Sequence, residues 1–81
     1  MTLGELIEAI KSDHIAGEEV LRTLRIFSAA AANPRLREKL ASARSFAEIY
    51  YSQRGAEKFG GLANVKRMVL ADLALARRFM T

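Results

Sequence analysis

The positions of glycine and proline constrain this chain more than any other feature. Only five Gly and one Pro occur in 81 residues, and they fall at a few points. Ala and Leu, with fourteen and ten copies, fill the segments between them. Ala and Leu favour helices, whereas Gly and Pro disfavour them, and no segment alternates as a strand would. The pattern predicts an all-α protein with four helices, at about 3–11, 18–32, 34–54 and 62–80.

Capping signals support these boundaries. Thr2 and Glu5 have the spacing of a capping box at the start of the first helix. Asn33 is a good N-cap, and Pro34 suits the first position of the third helix. Further caps are expected at Ser12 or Asp13 for the second helix, at Gly55 for the end of the third, and at Asn64 as an alternative start of the fourth.

The apolar residues recur at helical spacing and indicate one shared core. Leu3, Leu6, Ile7 and Ile10, for example, form a single stripe on the first helix. A chain of this length forms one domain, and short connections place consecutive helices side by side. We therefore expect a compact bundle with antiparallel neighbours, in which the third and fourth helices form the main hairpin.

Several classes of protein are excluded by composition. The chain has no Cys, and His14 is its single His, so disulfides, thiolate metal sites and zinc sites with two His ligands are ruled out. No apolar run approaches the ~18 residues of a membrane span. Glu5 and Glu8 stand where an export signal would carry basic residues. We expect a cytoplasmic protein that uses no cofactor and no membrane.

Catalysis is not expected. Residues 12–14 read Ser-Asp-His, but adjacent side chains point in different directions and cannot form a hydrolytic triad. The glycines at 55–61 lack the Lys and the preceding strand of a phosphate-binding loop. Glu38 and Glu48 lie ~15 Å apart along one helix, too far for a carboxylate pair. We therefore predict that the protein is not an enzyme.

The charge is unevenly distributed along the chain. Thirteen basic and nine acidic residues give a net charge of +4. Residues 1–21 carry a net −4, whereas residues 22–81 carry a net +8. A basic surface with an acidic flank favours an acidic partner. The candidate charge contacts are Arg22, Arg25, Arg35, Arg37, Arg44, Arg67 and Arg78.

The fourth helix is apolar over more than half its circumference. One stripe contains Val65, Val69, Leu73, Ala76 and Met80, and Asp72 separates it from a second stripe. Such a helix is either central in its fold or packed against another chain. The candidate apolar contacts are Met68, Leu75 and Phe79 of the second stripe, together with Ile26 on the polar side of the second helix.

These features predict a small non-catalytic binding protein that docks on a larger, acidic macromolecule. It would be an adaptor, an inhibitor or a regulator, of the kind that bacterial mobile elements carry. One alternative is a DNA- or RNA-binding regulator that contacts phosphates with the same Arg residues, with Tyr50 and Tyr51 available for base stacking. No established nucleic-acid-binding motif supports that alternative. A second alternative is a homodimeric structural component built on the fourth helix.

Overall fold

Four α-helices and one 3-10 helix make up the computed structural model, which describes residues 1–80. The α-helices are α1 (Leu3–Lys11), α2 (Gly17–Ala30), α3 (Pro34–Ser52) and α4 (Leu62–Arg78). The 3-10 helix covers Ala56–Phe59. No strand occurs in the described residues. The predicted all-α, four-helix fold is confirmed.

Two of the predicted caps form as expected. Thr2 Oγ1 accepts a hydrogen bond from the Glu5 amide at 3.1 Å, and Glu5 Oε1 accepts one from the Thr2 amide at 2.8 Å. The hydrogen bond from the Thr2 backbone keeps the pKa of Glu5 below its ordinary value. At α3, Asn33 Oδ1 accepts from the Arg35 amide at 2.9 Å, with Pro34 in the first helical position.

The predicted cap of α2 is wrong. Ala16 occupies that position and makes no side-chain capping bond. Ser12 and Asp13 belong to the end of α1 instead, because Ser12 is its C-cap and Asp13 has a left-handed backbone with φ 55°. Helix α2 also ends two residues earlier than predicted, because Ala31 turns to an extended conformation with ψ 121°.

The connection between α3 and α4 is more ordered than the sequence indicates. Gln53, with φ 61°, ends α3 before Gly55 is reached. Gly61, with φ 97°, is the N-cap of α4, and Asn64 instead donates its side-chain amide to the Phe59 carbonyl. The Phe59 ring meets Phe46 edge to face at 5.4 Å and so holds this connection against α3.

The helices pack in the spatial order α2, α3, α4, α1. The interface of α3 with α4 is the largest, while α2 packs on α3 and α1 packs on α4. The expectation that consecutive helices lie side by side is therefore wrong for α1 and α2, because the apolar stripe of α1 is buried against α4 instead. No polar or charged side chain within residues 1–80 is fully buried, so the core is wholly apolar. Its largest fully buried members are Leu6, Ile10, Leu24, Leu40, Leu73, Val20, Val65 and Val69.

The wide apolar arc of α4 follows from its position between two neighbours. Its first stripe is buried as far as Ala76, while Met80 lies beyond the helix and is exposed. Asp72, between the two stripes, is half-buried, and Ser42 Oγ of α3 donates to its Oδ2 at 2.6 Å. The polar residue that separates the stripes is therefore matched within the chain itself.

Candidate functional site

The relative register of α2 and α3 determines which arginines share a surface. Gly17 of α2 lies directly against the Tyr51 ring of α3. At the other end, Arg37 Nη2 of α3 donates to the Ala31 carbonyl at 2.9 Å. The spacing along the sequence from Gly17 to Ala31 is the same as the spacing from Arg37 to Tyr51. The two helices therefore run antiparallel, with Gly17 level with Tyr51 at one end and Ala31 near Arg37 at the other.

This register places Arg25 of α2 level with Ala43 of α3, one residue from Arg44. Leu21 and Glu48 line one depression on the outer side of this interface. Arg25 follows Leu21 by four residues, and Arg44 precedes Glu48 by four, so each lies one helical turn further along the same side. The two guanidinium groups thus come from different helices onto one outer groove.

Two further arginines extend this arrangement. Arg37 precedes Arg44 by two turns and lies on the same side of α3. Arg22 is three residues before Arg25 on the exposed face of α2. We call the surface formed by Arg22, Arg25, Arg37 and Arg44 the α2–α3 basic groove. It collects four of the seven predicted charge contacts.

The positive charge of this groove is only partly compensated. Arg44 is half-buried, and its Nε lies 3.5 Å from Glu48 Oε1 in an exposed pair one turn apart. Such a pair contributes only about 0.3–0.5 kcal/mol. The Arg22 and Arg25 side chains are exposed and make no ion pair within residues 1–80. The groove therefore holds like charges that an acidic surface would neutralise.

The other end of the groove has the opposite sign. Glu18, Glu48 and Ser52 surround the depression against Tyr51, which encloses about 490 Å³. The groove thus changes from acidic at the start of α2 to basic towards its end. This polarity distinguishes the two directions in which an elongated charged partner could lie along it.

The remaining predicted arginines lie elsewhere. Arg35 is exposed in the first turn of α3. Arg67 and Arg78 are exposed on α4, about three turns apart, on the side opposite the buried Val65 stripe. The seven arginines are therefore divided between the α2–α3 basic groove and other surfaces, and they do not form one continuous patch.

The predicted apolar contacts are divided in the same way. Phe79 is half-buried and packs on the core, and half-buried Met68 accepts a weak hydrogen bond from Asn64 Nδ2 at 3.8 Å. Leu75 is 38% exposed. Ile26 is 62% exposed and lies one turn beyond Arg22 on α2, next to the basic groove. Of the four, Ile26 is the one that the α2–α3 basic groove adjoins.

Sequence reasoning missed a polar bridge between distant parts of the chain. Lys66 Nζ of α4 lies 3.0 Å from Asp13 Oδ2 and donates to the Lys11 carbonyl at 3.1 Å. Tyr50 Oη of α3 donates to Asp13 Oδ1 at 3.2 Å. We call this set the Asp13 bridge. No local signal could have revealed it, because Lys66 is separated from Asp13 by 53 positions.

The Asp13 bridge shifts the protonation of its two charged members. The hydrogen bond from the Lys66 ammonium holds the pKa of Asp13 below its ordinary value. The same contact raises the pKa of Lys66. The Ser-Asp-His sequence at 12–14 is meanwhile dispersed, because Ser12 Oγ donates to the Glu8 carbonyl and His14 is exposed.

The two tyrosines considered for base stacking are engaged in packing. Tyr50 and Tyr51 meet edge to face at 4.9 Å, and the Tyr51 ring also covers Gly17. The Tyr51 hydroxyl is buried and has no hydrogen-bond partner among residues 1–80. That burial raises the pKa of Tyr51. Neither ring is presented as an open stacking platform.

Within residues 1–80, no three His, Asp or Glu side chains come close enough together to hold a metal ion. Over the same residues, no helix combines the length and the apolar character needed to cross a membrane. Comparison of the chain with protein-family models, with curated proteins and with solved structures finds no match.

Proposed function

We propose that this protein is a non-catalytic binding protein that docks on an acidic surface of a larger macromolecule through the α2–α3 basic groove. The observation that carries the proposal is the antiparallel packing of α2 on α3. From this packing we infer that Arg25 and Arg44 extend from two helices towards one groove. Docking on this surface would mask the acidic site of the partner sterically and electrostatically.

The chemistry of arginine supports an acidic protein surface as the partner. A guanidinium group is planar and pairs with a carboxylate through two parallel hydrogen bonds. Arg22 and Arg25 are exposed and make no ion pair in the described part of the chain, so pairing with a partner breaks no internal ion pair. Ile26 beside them supplies an apolar group that contact with a partner would bury.

Charge reversal on the groove tests the proposal. We expect the immobilised protein to capture its partner from cells of the source organism, and the R25E/R44E variant to lose it. The matched control is K58E/R77E, which changes the net charge equally at exposed positions that lie outside the groove and are not among the candidate charge contacts. Quantitative mass spectrometry of the captured proteins is the measurement. Equal loss in both variants would show binding through net charge alone and would contradict the assignment of the groove.

Repeating the capture after nuclease treatment distinguishes a protein partner from the nucleic-acid alternative. Capture that survives nuclease treatment supports a protein surface. If duplex DNA instead binds the wild type at about 50 mM salt, log K should fall linearly with log salt, by about 0.9 per phosphate contacted. Binding of that kind, lost in R25E/R44E, would replace the acidic protein by nucleic acid as the partner.

A further inference from the structure

A second groove lies between α1 and α4, outside the surface proposed for docking. It encloses about 470 Å³ and is lined by Ile7, Lys11, Ala74, Arg77 and Arg78. Volumes of this size suit small organic ligands. Its walls carry cationic side chains, and its floor is formed by buried Ile7 and exposed Ala74.

The antiparallel packing of α1 on α4 builds this groove. Lys66 donates to the Lys11 carbonyl at one end of α1, and the Arg77 guanidinium lies against Gly4 at the other. A Cβ atom at Gly4 would stand 3.4 Å from Arg77 Cζ and Nη1. The guanidinium therefore lies close to the backbone of α1, at the edge of the groove, and a Cβ atom there would be in ordinary van der Waals contact with it.

Arg77 gives this groove a positive charge that no ion pair of the described residues neutralises. Arg77 is exposed and makes no ion pair or side-chain hydrogen bond within residues 1–80. Lys11 is paired with Glu8 at 3.5 Å, but both side chains of that pair are more than half exposed. Pairs of this kind contribute little and are readily exchanged for a stronger partner. Lys11 and Arg77 both line this groove, so a ligand that lies along it would meet a cationic group from each helix.

We propose that the α1–α4 groove binds an organic phosphate monoester. A phosphate monoester carries a charge of about −1.5 to −2 at neutral pH, which matches the two cations better than a single carboxylate does. Its three terminal oxygens can accept from both Lys11 and the forked Arg77 guanidinium. A short apolar group on the ester would then lie against Ile7 and Ala74.

Titration with hexyl phosphate, followed by amide resonances in NMR, tests this site. We expect saturable shifts confined to residues 4–11 and 74–78. Hexanoate and inorganic phosphate should bind more weakly, because the first has one charge and the second has no apolar group. The R77Q variant should bind about 10- to 100-fold more weakly, since a hydrogen bond to a charged group contributes about 1.5–3 kcal/mol.

The controls distinguish specific binding in this groove from nonspecific attraction of an anion to a basic protein. R22Q removes the same charge from the α2–α3 basic groove and should leave hexyl phosphate binding unchanged. Arg22 and Arg77 are both exposed, so circular dichroism should show intact folding in both variants. Shifts that do not saturate, or equal weakening by R22Q and R77Q, would overturn the site. Equal affinity for hexanoate would overturn the assignment to phosphate.

Discussion

Gly17 shows how strongly one residue can constrain the packing of two helices. A Cβ atom at this position would lie 2.7 Å from Tyr51 Cγ and 2.8 Å from Tyr51 Cβ. The position of Tyr51 Cβ is fixed by the backbone of α3, so a change of side-chain rotamer, which moves Cγ, cannot remove the clash. Gly17 is therefore required for close approach of the start of α2 to the end of α3.

We predict that Gly17→Ala destabilises the protein, although Ala is the better helix former. Overpacking of this kind costs about 1–3 kcal/mol, which exceeds the gain of about 1 kcal/mol in helix propensity. Denaturant unfolding measures the change. In a Tyr51→Gly background the penalty should disappear, because both clashing atoms, Cβ and Cγ of Tyr51, are gone. An unchanged penalty in that background would show that the contact with Tyr51 is not the cause.

At the scale of the elements, the Asp13 bridge connects three parts of the bundle. Asp13 lies in the turn after α1, and its carboxylate meets Tyr50 of α3 and Lys66 of α4. These bonds favour the left-handed backbone of Asp13, which a non-glycine residue seldom adopts. The turn before α2 is thereby held against the main hairpin, although α2 itself has no side-chain cap.

The lowered pKa of Asp13 predicts acid sensitivity. Because the folded pKa is below the unfolded value of about 3.9, the bridge contributes its full stabilisation above that pH and loses it as pH falls through the folded pKa. We expect the free energy of unfolding to fall more steeply between about pH 5 and 2 in the wild type than in Asp13→Asn. Urea unfolding across this range is the measurement.

Glu19→Gln is the matched control for this comparison. Glu19 is exposed and makes no ion pair among residues 1–80, so its loss should leave the acid slope unchanged. Parallel slopes for the wild type and Asp13→Asn would mean that the Asp13 bridge does not stabilise the fold.

For the whole molecule, one small apolar core accounts for compactness. The radius of gyration is 11.7 Å, against about 12 Å expected for a globular chain of this length. Residues from all four α-helices contribute to the main core cluster, and no buried charge interrupts it. In the second apolar stripe of α4, Met68 and Phe79 are half-buried and Leu75 is exposed.

Truncation in this core should therefore remove a large part of the stability. Leu73 is fully buried at the centre of α4, and Leu73→Ala should cost about 2–5 kcal/mol. A domain of this size has a total of only about 4–12 kcal/mol. Ile26→Ala, at a side chain that is 62% exposed, should change stability by less than about 0.5 kcal/mol. Similar losses at both positions, measured by thermal unfolding, would contradict this location of the core.

The local sequence determined the elements of this protein. The Thr2–Glu5 capping box and the Asn33-Pro34 start of α3 act over two or three residues, so their geometry follows once the helix forms. The apolar stripes likewise indicated which face each helix buries. The same local reasoning failed at the start of α2, because Asp13 is held by groups far away in the chain rather than by the next helix.

Only the tertiary structure decided how the functional candidates are grouped. The sequence named Arg25, Arg44 and Ile26 one by one, but their common surface depends on the register of α2 against α3. That register is set by contacts such as Gly17 with Tyr51, which join residues distant in the chain. Helical periodicity describes one helix at a time, whereas packing between helices depends on the shapes of both faces at once.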